Sequence, residues 1–107
     1  MIQNKEKREG LMIKKEVLNL LRDHLNEMRA FKIEKLFIFG STARDQATEK
    51  SDVDILVKFN VPASFDLYMD FKFYLEDLLG RKVDLVTEEA IRPEIRRFVE
   101  EDLISVA

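Results

Sequence analysis

Leu36-Phe37-Ile38-Phe39-Gly40-Ser41-Thr42-Ala43-Arg44, followed after six residues by Ser51-Asp52-Val53-Asp54-Ile55-Leu56-Val57, decides how this chain folds. Leu36 to Phe39 reads as a short buried strand that ends at Gly40 and Ser41, where the chain turns and opens a helix. Backbone N–H groups at such a turn are free to hold phosphate oxygens. The next apolar run, Ile55 to Val57, is introduced by Asp52 and Asp54. In extended geometry alternate side chains share a face, so these two carboxylates project together and make a chelating pair for a hard cation. Magnesium takes oxygen ligands and commonly needs only one or two carboxylates where substrate phosphates supply the rest.

Working outward, Lys82-Val83-Asp84-Leu85-Val86 follows a helix-ending Gly80 and carries a lone Asp84 between apolar neighbours. A buried, unpaired carboxylate is expensive there. If this strand lies beside the one carrying Asp54, a shared pair of metal ions about 3.5–4 Å apart would explain why the charge is tolerated. Each element alone is ordinary. A Gly-Ser after a strand is usually a turn plus a helix N-cap, and Ser-Asp-x-Asp is commonly a solvated turn in which Ser51 bonds locally. Their succession, each at the boundary of an apolar run, is what points to a phosphate- and metal-handling site.

Gly40-Ser41, Ala43-Arg44, Ser51-Asp52-Val53-Asp54, Asp84 and the tail Ile91-Arg92-Pro93-Glu94-Ile95-Arg96 together resemble the minimal nucleotidyltransferases. These are single-domain relatives of the polymerase-beta-like superfamily, and the similarity runs from about Leu36 to the C-terminus. The resemblance implies an α/β fold with a small mixed β-sheet packed by α-helices, with ATP and Mg2+, two ions, as cofactors. It implies an antitoxin whose partner is a HEPN-type ribonuclease toxin, silenced by transfer of AMP onto a tyrosine. On that account Gly40 and Ser41 hold the β/γ-phosphates, Arg44 and Ser51 complete the nucleotide site, and Asp52, Asp54 and Asp84 bind metal. Asp84 takes the proton of an acceptor hydroxyl, which attacks the α-phosphorus in line as pyrophosphate leaves. One departure stands out: the family commonly has glycine after the Ala-Arg pair, and this chain has Asp45. The added charge either weakens nucleotide binding or lies in the first turns of a helix, pointing outward and favouring its dipole. The second reading is preferred.

A chain of 107 residues buries one moderate core, so residues 1–107 are expected to form one domain, with an amphipathic helix over about 11–30 and a catalytic core over about 35–107. Polymerase-like enzymes close nucleotide and acceptor against additional domains, so the missing wall is expected from another polypeptide or another copy. The net charge of -3 argues against broad capture of nucleic acid. Without cysteine there are neither disulfides nor thiolate zinc sites, and the single His24 falls within the amphipathic pattern. No apolar run has the length of a signal peptide or membrane span, which gives a cytoplasmic expectation.

The scaffold follows from periodicity. Ile13, Val17, Leu20, Leu21, Leu25 and Met28 recur at helical steps. Ser64 is an N-cap candidate, and Leu67, Phe71, Leu75 and Leu78 carry a stripe to Gly80. That helix also bears Phe65, Tyr68, Met69, Phe73 and Tyr74, for which packing around a small sheet is preferred over a contact patch or self-modified tyrosines. A last helix starts near Pro93 with Ile91, Ile95, Phe98 and Val99 facing inward. Its Arg92, Arg96 and Arg97 are read as solvated ion pairs with Glu94, Glu100 and Glu101 rather than triphosphate ligands. Two other function classes compete. A non-catalytic module that covers a toxin would not need the intact Gly-Ser, Asp-x-Asp and Asp84 set, and an aminoglycoside-type small-molecule nucleotidyltransferase would need a second domain to shape its pocket.

Overall fold

The computed structural model describes residues 13–48 and 50–107. Helix α1 (Lys14–Asp23) opens with Glu16 accepting a hydrogen bond from the Ile13 amide at 3.2 Å. The single long helix expected over about 11–30 is interrupted at His24, whose φ of -113° and ψ of 16° leave the helical region. The His24 Nδ1 bonds back to the Leu20 carbonyl at 2.8 Å, and the chain resumes as α2 (Leu25–Met28) and a 3-10 turn (Arg29–Phe31). Leu11 and Met12 of the expected helix lie outside the described residues. Val17, Leu21 and Met28 are fully buried, so the apolar stripe keeps its role across the break.

Next come β1 (Ile33–Phe39), the one-turn helix α3 (Gly40–Ala43), β2 (Val53–Phe59), α4 (Phe65–Leu79), β3 (Val83–Thr87), a second 3-10 turn (Glu88–Ala90), α5 (Pro93–Asp102) and β4 (Ile104–Ser105). The strands form one mixed sheet in the order β3-β2-β1-β4; β2 and β3 run parallel, joined through α4, and the other pairs are antiparallel. The small mixed sheet packed by helices is the expected fold. Strand β4 was not expected.

Alternation sets the two faces. Val53, Ile55, Val57 and Phe59 of β2 join Val83 and Leu85 of β3 in a core shared with Val17 and Leu21 of α1 and Phe71, Leu75 and Leu79 of α4. Asp54 and Asp84 alternate with these residues and therefore project from the opposite face.

Helix α4 starts and stops where its sequence says. The Ser64 hydroxyl accepts from the Leu67 amide at 3.1 Å, and Gly80 ends the helix with a left-handed φ of 68°. Phe71 packs against Phe31, Phe59 and Tyr74 with ring centroids 5.2, 6.0 and 6.3 Å away. The Tyr74 hydroxyl donates to Glu27 at 2.6 Å, and burial together with that carboxylate pushes the phenol well above its ordinary range. The Tyr68 hydroxyl donates to the Leu85 carbonyl at 2.5 Å, and Glu76 accepts from the Val83 amide and from Lys72, each at 3.0 Å. Both tyrosines thus serve packing, whereas Phe65 and Phe73 do not: they are 75% and 53% exposed.

The last helix also departs from expectation. Ile91 is buried and Val99 half-buried, but Ile95 and Phe98 are 48% and 63% exposed. Helix α5 rests on β1 and α3, and that seat leaves part of its apolar face uncovered. Arg96 does pair with Glu100 at 3.6 Å. Among the described residues no helix is long and apolar enough to cross a membrane.

Candidate active site

Phe39 is the last residue of β1, fully extended, and in the antiparallel register it stands opposite Asp54. The next residue is Gly40, with φ +71°, from which the chain winds into α3. That conformation suits glycine on its own account. Space demands it a second time, because a Cβ on Gly40 would run into the Asp54 Oδ2 and lie 3.0 Å from its Cγ. The glycine turn and the carboxylate are one packing unit.

Across the parallel pair Asp54 stands in register with Asp84. The two carboxyls hydrogen-bond to each other, and the Asp54 group is pushed up to about 6. Burial is the main cause, followed by the Asp84 charge, the hydrogen bond with it, and the Asp52 charge, while Arg44 pulls the other way. The buried charge expected at Asp84 is not there: Val83 and Leu85 are buried and Asp84, alternating with them, is exposed. Asp54, half-buried against a like charge, is the group whose ionisation needs help.

Asp52 precedes β2 and is exposed. Its charge reaches Asp54, yet among the described residues no three Asp, Glu or His side chains converge on a point that could hold a metal ion. The structure therefore brings together two of the three expected carboxylates. Their chemistry fits a magnesium ion: both donors are hard oxygens, a cation would relieve the repulsion that raises Asp54, and two carboxylates suffice when phosphate oxygens complete the shell.

The remaining expected residues lie on the glycine turn, at the end of α3 and in the loop before β2. The Ser41 hydroxyl makes no hydrogen bond to another described residue, while its carbonyl accepts from the Gln46 amide at 2.8 Å. Arg44 reaches Asp102 of α5 at 2.5 Å and Gln46 at 3.1 Å, so its guanidinium is tied to the last helix while its charge still acts on Asp54. Ser51 braces the loop: its hydroxyl accepts from the Thr48 amide at 3.0 Å, and Arg81 donates to the carbonyls of Thr48 and Ser51, both at 3.0 Å. Asp102 and Arg81 lie 58 and 30 or more positions from their partners, beyond any local sequence signal.

Asp45 is neither in a helix's first turns nor aimed at the site. It follows α3 with φ 60°, and its Oδ1 accepts from the Lys14 amide at 3.0 Å. The carboxylate does favour a helix dipole, that of α1. The positive φ is one that glycine and aspartate both tolerate, so Asp45 can stand where the resemblance leads one to expect glycine.

The comparisons with known proteins agree with this geometry. The profile of the family described as "Nucleotidyltransferase domain" matches residues 18–106. A Methanocaldococcus jannaschii protein named "Putative protein adenylyltransferase MJ0128" is 45% identical over 93 residues, covering 85% of this chain and 95% of that protein. Protein adenylyltransferase MntA of Thermococcus cleftensis is 35% identical over 98 residues, covering 91% and 99%. A solved structure described as a "putative minimal nucleotidyltransferase" superposes with a TM-score of 0.75 at 31% identity, covering 87% of this chain and 95% of that one. The complex of a tri-AMPylated Shewanella oneidensis HEPN toxin with its MNT antitoxin shares the fold, with a TM-score of 0.62 at 18% identity over 84% of this chain and 71% of that one. On the family match and these likenesses, the chain belongs to the nucleotidyltransferase family, in its minimal, single-domain branch.

Proposed function

We propose that this chain is a magnesium-dependent adenylyltransferase of the cytoplasm that moves AMP from ATP onto a tyrosine hydroxyl of a HEPN-type ribonuclease toxin, and so acts as its antitoxin. The observation that carries the reading is the Asp54–Asp84 pair, set in register across β2 and β3 and directly against Gly40. The relatives named as adenylyltransferases supply the reaction class, and the Shewanella oneidensis complex suggests the acceptor.

Within that reading the Gly40-Ser41 turn receives the phosphate tail, with the Ser41 hydroxyl as a donor not yet spent on the fold. Asp54 and Asp84, with Asp52 at the margin, hold the magnesium ion, which when bound offsets the triphosphate charge. Arg44 adds positive charge from its place on Asp102, and Ser51 and Arg81 keep the loop before β2 in shape. Asp84 is the exposed member of the pair and so the one open to an acceptor. It takes the hydroxyl proton as the acceptor oxygen bonds to the α-phosphorus and the bond to pyrophosphate breaks.

The test is the intact mass of the HEPN-type protein encoded beside this gene, co-expressed with the unaltered chain or with its Asp54→Asn or Asp84→Asn form. AMP-sized increments with the unaltered chain alone are expected. A co-purifying partner of unchanged mass would replace this reading with neutralisation by binding.

A further inference from the structure

Helix α4 buries one side and presents the other to solvent. The outward side holds Phe65, Met69 and Phe73 at four-residue steps, flanked at similar angles around the axis by Asp66, Asp70 and Asp77. Phe65 and Phe73 are among the most exposed large apolar side chains of the described residues, and all three aspartates are exposed. Exposed aromatics in one contiguous stripe are unusual on a surface that meets only water.

The charges are equally unexplained by the fold. Asp66 lies in the first turn, where a carboxylate favours the helix dipole. Asp70 and Asp77 have no such reason, and Asp77 sits near the C-terminal end, where the dipole opposes it and whose last turn holds no basic residue. None of the three forms an ion pair with another described residue. A position that breaks a local rule with no compensation inside the fold points outside it.

We propose that this aromatic and acidic face of α4 is a docking surface for a partner protein with an apolar centre ringed by lysine and arginine. The inference rests on the proposed function for the partner's identity. A ribonuclease that grips RNA must present positive charge to phosphates, and a HEPN-type toxin is therefore a basic partner of the required kind. A second copy of this chain fits poorly, because pairing α4 with itself would bring six carboxylates together in a chain whose net charge is already -3. The carboxylates then steer the encounter and the aromatics hold it. The surface belongs to the outer side of α4, away from the face bearing Asp54 and Asp84, so substitutions on it leave the carboxylate pair untouched.

The test measures binding of the purified HEPN-type protein to three forms of the full chain by titration calorimetry, at two salt concentrations, beside the mass assay for AMP transfer. Asp54→Asn is expected to bind as the unaltered chain does and to transfer nothing. Phe65→Ser/Phe73→Ser is expected to weaken binding at least about tenfold at either salt. Asp70→Lys/Asp77→Lys is expected to weaken it mostly at low salt, by slowing association. The positions substituted on α4 are exposed, and circular dichroism confirms that each variant is folded. Unchanged affinity in both surface variants overturns the proposal even if AMP is transferred. Weakened binding supports it even if no AMP is transferred, in which case only the reading of the reaction fails. Concentration-dependent dimers of the free chain that Phe73→Ser abolishes would reassign the face to self-association and overturn it as well.

Discussion

Gly40 and Asp54 share one volume: the glycine leaves open the space that the Asp54 carboxylate occupies, so a methyl group on the first displaces the second. Gly80 has nearly the same backbone, φ 68° against 71°, but nothing lies within 4 Å of where its Cβ would be. Gly80→Ala should therefore carry only the backbone cost, about 1–2 kcal/mol. Gly40→Ala should cost more in urea unfolding and should also abolish transfer. Equal destabilisation by the two changes, with activity kept, would refute the coupling.

Asp54 gives a pH signature to the metal-free protein. Its folded value of about 6 lies above the ordinary 3.8, so the fold prefers the protonated acid. The group's stabilising contribution is complete below about pH 4 and is lost as pH rises through about 6. Melting curves in EDTA should show a fall between about pH 4 and 6 that Asp54→Asn removes. Magnesium should raise the melting temperature more at pH 7.5 than at pH 5. A magnesium effect that does not grow with pH would separate the ion from this pair.

Asp45 makes two contributions, a tolerated left-handed backbone and a bond to the Lys14 amide. Asp45→Gly keeps the first and loses the second; Asp45→Ala loses both. Alanine should cost about 1–3 kcal/mol and glycine clearly less. Transfer should survive in each, and a gain of more than a few-fold in ATP affinity on removing the carboxylate would show that it faces the nucleotide after all.

Tyr68→Phe removes one hydroxyl and leaves the Leu85 carbonyl without its partner. A loss of about 1–2 kcal/mol is expected, with transfer unchanged at temperatures where the variant is folded. Amide exchange should quicken in β3 before it does in β1. No change in stability would mean that water replaces the phenol without cost.

Much of the site is legible because it is written locally. Gly40-Ser41, Asp52-Val53-Asp54 and Asp84 mark ends and starts of apolar runs, and Ser64 and Gly80 carry their helix boundaries in their own chemistry. What stays hidden depends on distant partners. Strand β4 is two residues long and exists only because Phe37 and Ile38 offer it a neighbour. The break at His24 and the bonds from Asp45 to Lys14 and from Arg44 to Asp102 have no short-range signature. Periodicity finds the apolar residues of α5 but not their orientation, so Ile95 and Phe98 read as core while facing solvent. Alternation likewise reveals Asp84 between apolar neighbours without telling which carboxylate the neighbouring strand half-buries.

The bonds from α4 to β3 and from α1 to β4 have a consequence for growth. Glu76 takes the outward amide of Val83, Tyr68 takes the outward carbonyl of Leu85, and Arg22 of α1 takes the Ser105 carbonyl at 2.7 Å. Each margin of the sheet is thus occupied by a helix's side chain at the places where a fifth strand would start to pair. Lateral addition of another backbone, the commonest accident of small β-sheets and a frequent way of recruiting peptides, would first have to evict these groups. Contacts with other molecules are therefore favoured on the helices and the open face, and the sheet of the described residues is guarded at four strands.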